Sequence, residues 1–291
     1  MSSPRGFEVA EVTGATLVQD LGRPGWSAVG LGRSGAADRA AHALANRLLG
    51  NAEDAATLEV VGQLVLEGVG AITWVVVTGG RGPVLLDGQL VGDHAPVAVP
   101  PGAHLEVGPA TQGLRRYVGV RGGVAVAPVL GSRSRDVLAE VGPPPPRRGD
   151  LLPVGAAPAT PLRVDQATPQ TVADSPLRVV AGPRADWVHD VHALVGTAWT
   201  VGEQSNRVGV RLRSAGGSPP PGLARVDPGR ELPSEGLWRG AVQVPPSGEP
   251  VVFLADHPVT GGYPVVGVVV DADVDRVAQL RPGDPLRLRW A

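Results

Sequence analysis

Short apolar runs recur along the chain, β-branched and bounded by Gly, Pro, Asp or Asn. They predict strands at 57–66, 71–78, 82–90, 103–108 and 115–121, and again at 176–181, 198–202, 207–213, 241–244, 250–255 and 264–270. Two stretches carry helical spacing instead. In "SGAADRAAHALANRLLGN", Ala37, Ala41, Leu44, Ala45, Leu48 and Leu49 share one face. Ser34 is its expected cap, Asp38 offsets the dipole in its first turn, and Gly50 ends it. In "RADWVHDVHALVG", Trp187, Val191, Leu194 and Val195 share a face that stops at Gly196. A short third helix is expected near 273–280.

Three strings recur at a near-constant offset. "TLVQDLGRPG" from Thr16 and "TVGEQSNRVG" from Thr200 both read T-x6-R-x-G, 184 apart. "TGG" at 78 and 260 is offset by 182, and "PGAHLEV" at 101 and "PGDPLRL" at 282 by 181. A period this long means two related domains, not a solenoid. The expected fold class is mainly β, two β-barrels related by internal duplication, with a few flanking helices. The expected division is a first barrel at 1–125, a connecting segment at 126–170 containing "GPPPPRRGD", and a second barrel at 171–291.

Composition narrows the chemistry. Gly 41 and Pro 30 fit many tight turns between strands, and 43% hydrophobic content argues against disorder. The net charge of -2 gives no electrostatic case for nucleic acid. No apolar run is long enough for a membrane helix and no signal-peptide core opens the chain, so a cytoplasmic location is expected. With no cysteine, thiolate nucleophiles and zinc–thiolate sites are excluded. All 26 basic residues are arginine. Without lysine there is no P-loop and no place to attach biotin, so if ATP or carboxybiotin enters the chemistry, another chain is expected to bring it. Arginine instead grips carboxylates and phosphates two-pronged.

Several loops place reactive side chains on glycine turns. Asp20 and Arg23 flank Gly22 and either pair with each other or hold a ligand. Glu59 lies on a strand and faces a cleft or solvent. "GVRGGV" offers Arg121, and "LGSRSRD" offers Arg133 and Arg135 beside Ser132 and Ser134. "SNRVGVRL" and "SEG" supply Ser205, Asn206, Arg207, Ser234 and Glu235. "LADHPVTGGYP" is the richest, with Asp256, His257, Thr260 and Tyr263. His189 and His192 lack an obvious third ligand, so no metal site is expected.

Ten strings occur in one order: "VQDLGRPG", "SGAAD", "LANRLLGN", "TLEV", "LGSRSRD", "SNRVGVRL", "SEG", "QVP", "TGGYP" and the late "PGD". Their order closely resembles the allophanate hydrolase subunit 2 family, also called the biotin-dependent carboxyltransferase family. That family includes KipA-like proteins and the C-type subunit of bacterial 5-oxoprolinase. The resemblance implies cyclophilin-like barrels and a smaller partner, the KipI-like protein or allophanate hydrolase subunit 1. For the 5-oxoprolinase branch it implies a larger hydantoinase-like third subunit and ATP-dependent opening of 5-oxoproline to glutamate. Asp20 or Asp256 would then position water, while Arg23, Ser34, Arg121, Ser205, Arg207, Ser234, Thr260 and Tyr263 would hold substrate. The other roles within the family are a carboxyltransferase component of a urea carboxylase-like system and a non-catalytic, KipA-like antagonist of a KipI-like kinase inhibitor. One departure stands out: relatives often carry Gln and Thr where this chain has Pro258 and Val259.

Overall fold

The computed structural model describes residues 5–162, 166–168 and 175–291. They cluster as two compact units. The first takes in 5–23, 34–136, 140–162 and 166–168; the second takes in 24–33, 137–139 and 175–291. The boundary expected between 170 and 171 lies outside the described residues.

The first unit is built on β1 (Gly6–Gln19), β2 (Thr57–Val69), β3 (Thr73–Arg81), β4 (Val84–Leu86), β5 (Gln89–Leu90), β6 (Val97–Val99), β7 (His104–Val107), β8 (Gln112–Val120) and β9 (Leu151–Pro153). They form one sheet in the order β5-β4-β7-β2-β8-β3-β6, with β1 pairing both β2 and β9. Val9, Leu58, Val60, Leu64, Leu66, Val75, Leu105 and Val118 fill its core, as the inward positions of period-two strands should. β1 is the longest strand, and the apolar pattern does not predict it. Its register shifts between Val9 and Glu11, and Gly14 pairs with Gly62, both at positive φ (76° and 113°). A Cβ at Gly14 would lie 2.2 Å from the Val61 carbonyl oxygen, and one at Gly62 would lie 2.4 Å from that of Thr13. The bulge and the glycine contact interrupt the alternation that marks a strand.

Helix α1 (Arg39–Leu48) is capped by Asp38, whose carboxylate accepts from Ala41 N at 2.9 Å. Asp38 is therefore the cap, and Ser34 lies outside the helix with φ at 57°. Glu59 is buried and faces neither cleft nor solvent. Its Oε2 accepts from Ala37 N at 3.1 Å and from the Tyr117 hydroxyl at 2.8 Å, and Arg115 lies 3.3 Å away. Tyr117 accepts in turn from Asp38 N at 2.8 Å. Burial, with Glu59 and Asp38 beside it, raises the phenol well above its ordinary value.

The second unit holds β10 (Leu177–Ala181), β11 (Trp199–Val201), β12 (Gly209–Ser214), β13 (Glu235–Gly236), β14 (Ala241–Gln243), β15 (Val251–Phe253), β16 (Thr260–Gly261), β17 (Val265–Val269), β18 (Pro285–Leu286) and β19 (Leu288–Trp290). Eight of these form a sheet in the order β18-β11-β12-β15-β14-β17-β10-β19, while β13 and β16 make a two-stranded ribbon. The helix expected over 184–196 is instead a 3-10 turn at Ala185–Trp187 and a single turn, α2 (Ala193–Gly196). The reason is tertiary. Val188 is extended and bridges Arg225, and the His189 and Asp190 amides donate to the carbonyls of Ala224 and Gly222. Those bonds compete with the helical ladder. Helix α3 (Asp271–Val277) accords with the third expectation, and its Asp273 takes Arg178 in a fork at 2.9 and 3.0 Å.

Two of the three repeated strings occupy comparable places; the third does not, since Thr78 lies in β3 of the first sheet and Thr260 in the two-stranded ribbon of β13 and β16. Thr16 and Thr200 lie in β1 and β11, strands that lead toward Arg23 and Arg207. Gly102 and Gly283 both turn at positive φ before short strands. The chain is mainly β, with barrel-type sheets in both units. No helix among the described residues is long and apolar enough to cross a membrane.

Candidate functional site

In the first unit, Asp20 organises the loop 130–136. Its carboxylate accepts from Ser132 Oγ at 2.6 Å, Ser134 Oγ at 2.5 Å, Arg133 N at 2.6 Å and Gly22 N at 2.7 Å. Arg23 is buried beside it and donates to the Ser134 carbonyl, so the same loop is held from two sides. Ser34 Oγ lies 3.4 Å from the Arg135 carbonyl. Arg121 binds main-chain carbonyls, those of Leu49 at 2.7 Å, Pro158 at 2.8 Å and Thr160. These residues tie loops of the first unit to one another.

The second unit carries a cleft of about 250 Å³. Its walls come from three of the ordered strings: Asn206, Val208, Gly209 and Arg211 from "SNRVGVRL", Gln243 and Pro245 from "QVP", and Tyr263 from "TGGYP". Gln204, Val251 and Phe253 complete it. Gly209 lets β15 come close, since a Cβ there would sit 2.8 Å from Val251 Cγ1. Asn206 Oδ1 accepts from Val208 N at 2.8 Å and fixes the turn before β12. Ser205 fixes the same loop, donating to the Gly202 carbonyl at 2.7 Å and accepting from Arg211 N at 3.1 Å.

Two groups of the cleft have unused bonding capacity. Gln243 Nε2 donates to the Tyr263 carbonyl at 2.9 Å, which identifies the nitrogen end of the amide. Its Oε1 has no hydrogen-bond partner among the described residues. The Arg211 guanidinium, exposed at the rim, likewise has no ion pair or hydrogen bond among them. A fixed acceptor and an exposed cation at the rim therefore border a largely apolar space bounded by Val208, Val251 and Phe253. Such a site suits a small ligand with an anionic group, an N–H and a hydrocarbon body.

Beside this cleft, Arg207 and Asp256 form a buried fork. Nε reaches Oδ2 at 2.8 Å and Nη2 reaches Oδ1 at 3.0 Å, while Val137 N also donates to Oδ2 at 3.0 Å. The "SEG" and "TGGYP" strings meet as β13 and β16, with Glu235 opposite Gly261 and Gly236 opposite Thr260. Thr260 and Ser234 are exposed. Tyr263 is partly exposed with Arg225 over its ring at 5.8 Å. Glu235 pairs with Arg184, whose hydrogen bonds hold the carboxyl below its ordinary value.

The expected site residues thus fall into two groups. Asp20, Arg23, Ser34 and Arg121 belong to the first unit, and Ser205, Arg207, Ser234, Asp256, Thr260 and Tyr263 to the second. Reasoning from sequence missed Arg211 and Gln243. The signal lay in strand parity, because Gly209 and Arg211 share a face of β12 that only a known register assigns to the cleft. His189 and His192 are joined by no further ligand: no group of three or more His, Asp or Glu able to hold a metal occurs among the described residues.

The carboxyltransferase domain model, subdomain A and B, matches residues 29–290. The chain is 33% identical to the C-type subunit of 5-oxoprolinase from Escherichia coli over 280 residues, covering 93% of this chain and 86% of that one. It is 31% identical to the urea amidolyase of Saccharomyces cerevisiae over 98% of its own length but only 16% of that enzyme's. Among solved structures, TTHA0988 superposes with a TM-score of 0.85 at 33% identity, over 99% of this chain and 56% of that chain. The K. lactis urea amidolyase superposes with a TM-score of 0.86 at 28% identity, over 99% of this chain and 19% of that one. With matching folds and a family model spanning nearly its whole length, this chain belongs to the carboxyltransferase domain family, subdomain A and B.

Proposed function

We propose that this chain is the C-type subunit of a cytoplasmic, multi-subunit amide hydrolase of the 5-oxoprolinase type. The observation that carries the reading is the likeness to a subunit-sized relative, the C-type subunit of 5-oxoprolinase, over 93% of this chain and 86% of that one. The cleft is consistent with it. A small lactam bearing a carboxylate would set its carboxylate on Arg211, its ring N–H on Gln243 Oε1 and its methylenes on Phe253 and Val251. Asp20 and Asp256 would act on the reaction by fixing loops, since both carboxylates are filled by bonds to the protein itself.

ATP does not fit this cleft. One unpaired guanidinium in a largely apolar space is a poor match for a triphosphate, and the chain has no lysine to add. In this reading nucleotide binding falls to another subunit, and the reaction runs only in the assembly with the smaller KipI-like subunit and a larger hydantoinase-like one.

The test is co-expression of the three chains and measurement of glutamate from 5-oxoproline with and without ATP. ATP-dependent glutamate that drops at least about tenfold in kcat/KM with Arg211→Ala supports the reading. No glutamate from an assembled complex would overturn it. A second reading, a carboxyltransferase component of a urea carboxylase-like system, is favoured by the match to urea amidolyase over 98% of this chain. Carboxyl transfer from carboxybiotin on a separate carrier chain to urea, assayed with the same preparation, tests it.

A further inference from the structure

The cleft of the second unit holds one more polar group with a set direction. Asn206 lines it, and its Oδ1 accepts from Val208 N at 2.8 Å and from Gly209 N at 3.3 Å. With the oxygen end committed to the turn, Nδ2 is the donor left over. It has no partner among the described residues. Gln204 lines the same cleft, but no hydrogen bond among those residues holds its side chain. Ordering Gln204 on a ligand would cost rotamer freedom that Asn206 has already given up.

Strand register sets where the polar groups stand. Arg211 and Gln243 both pair with Val251, so they share one row across β12, β15 and β14, two strand spacings or about 10 Å apart at the backbone. The next row on that face is Gly209 opposite Phe253, and Asn206 N donates to the Gly209 carbonyl at 3.1 Å. Asn206 therefore stands at the end of the floor made by Val251 and Phe253, off the line joining Arg211 and Gln243. A cation, an acceptor and a donor border one apolar floor. The acceptor and donor together match an amide, which carries an N–H and a carbonyl side by side. At about 250 Å³ the cleft is smaller than the ~300–1,000 Å³ of pockets for drug-sized ligands, so that amide is small.

We infer that Asn206 is a specificity-determining residue of this cleft: its Nδ2 donates to the carbonyl oxygen of a small amide whose N–H is accepted by Gln243 Oε1 and whose anionic group is held by Arg211. This rests on the lactam reading above. A ring without the carbonyl leaves the Asn206 donor to water and gains nothing from it.

The test is a ligand-observed NMR titration of the full-length chain with two probes. One is 5-oxoproline; the other is cyclopentanecarboxylate, which keeps the ring and carboxylate but has neither N–H nor carbonyl. Asn206→Ser keeps an oxygen able to accept from Val208 N and removes the amide donor. It should weaken 5-oxoproline by about fivefold or more and leave cyclopentanecarboxylate within about twofold. Asn206→Asp keeps both turn bonds, and the ratio of the two affinities should fall by a similar factor. Equal losses for both probes would give Asn206 a purely structural part in the turn and overturn the inference. So would 5-oxoproline affinity within about twofold of wild type in Asn206→Ser. In both of those cases a wild-type preference for 5-oxoproline leaves the lactam reading standing. A wild-type chain that binds neither probe, or does not prefer 5-oxoproline, overturns the reading and the inference together.

Discussion

Arg207 grips Asp256 through two parallel bonds, 2.8 and 3.0 Å long, with both side chains buried. The pair is 49 residues apart in sequence and is drawn together where Gly209 of β12 pairs with Phe253 of β15. Removing one member of a buried pair strands the other's charge, at a cost of about 3–5 kcal/mol. Asp256→Ala should therefore destabilise the chain by about that amount. Denaturant unfolding measures it, and a loss under about 1 kcal/mol would show that solvent reaches Arg207 more freely than its burial indicates.

Tyr117 ties the start of helix α1 to the sheet by accepting from Asp38 N and donating to Glu59. Tyr117→Phe keeps the ring and removes both bonds, while Glu59 keeps Ala37 N and Arg115. A loss of about 1–3 kcal/mol is expected by denaturant titration. An unchanged midpoint would mean the two partners find each other without the phenol.

His42 sits in the core against Thr57 at 2.9 Å, and burial lowers its pKa below the ordinary 6.5. The folded state favours the neutral ring, whereas the unfolded ring takes up a proton as pH falls through 6.5. The stability His42 contributes is complete above that value and is lost as pH falls toward the depressed folded pKa. His42→Gln, which does not titrate, should flatten this part of the pH dependence of melting between about pH 7 and 5. Identical slopes for the two proteins would remove His42 as the cause.

A side chain at Gly261 would have to displace the ends of Leu237 and Gln243. A Cβ there would lie 2.8 Å from Leu237 Cδ1 and 2.9 Å from Gln243 Nε2. Gly261→Ala should push Gln243 off the Tyr263 carbonyl and misplace the acceptor in the cleft. The expected result is a rise in KM of about tenfold or more in the assembled enzyme, with the fold retained. Wild-type KM would show that Gln243 does not contact the substrate.

Gly62 faces Gly14 across β1 and β2 at a φ of 113°. Gly62→Ala adds a Cβ 2.4 Å from the Thr13 carbonyl oxygen in a backbone region that alanine avoids. A loss of at least about 1 kcal/mol should appear in thermal melts, several degrees in a unit of this size.

Much of the sheet architecture was legible because β-branched runs such as "TLEVVGQLVL" and "PVVGVVV" announce strands wherever they occur. β1 was not, because a bulge and a glycine pair break its alternation. The helix expected from Arg184 failed for a different reason: residues 188–190 bond to the segment 222–225, a contact no local pattern reveals. In the candidate site, the ordered strings gave the loops, and the register of β12 decided that Arg211 faces the cleft. The local pattern around Asp20 offers pairing with Arg23 or a ligand role but not Ser132 and Ser134, because these lie 112 and 114 residues away.

The pairing of β1 with β9 and the membership of the second unit together set an order of events during synthesis. Gly6, Phe7 and Glu8 leave the ribosome well before their outer strand partners, Leu151, Leu152 and Pro153. Residues 24–33 wait longer still, since most of the unit they join begins at 175. Until those later segments are made, the nascent chain therefore carries an open strand edge and a loop without its neighbours. That interval is when sticking to other chains is most dangerous, and slow codons or chaperone contact before residue 153 would have their largest effect there.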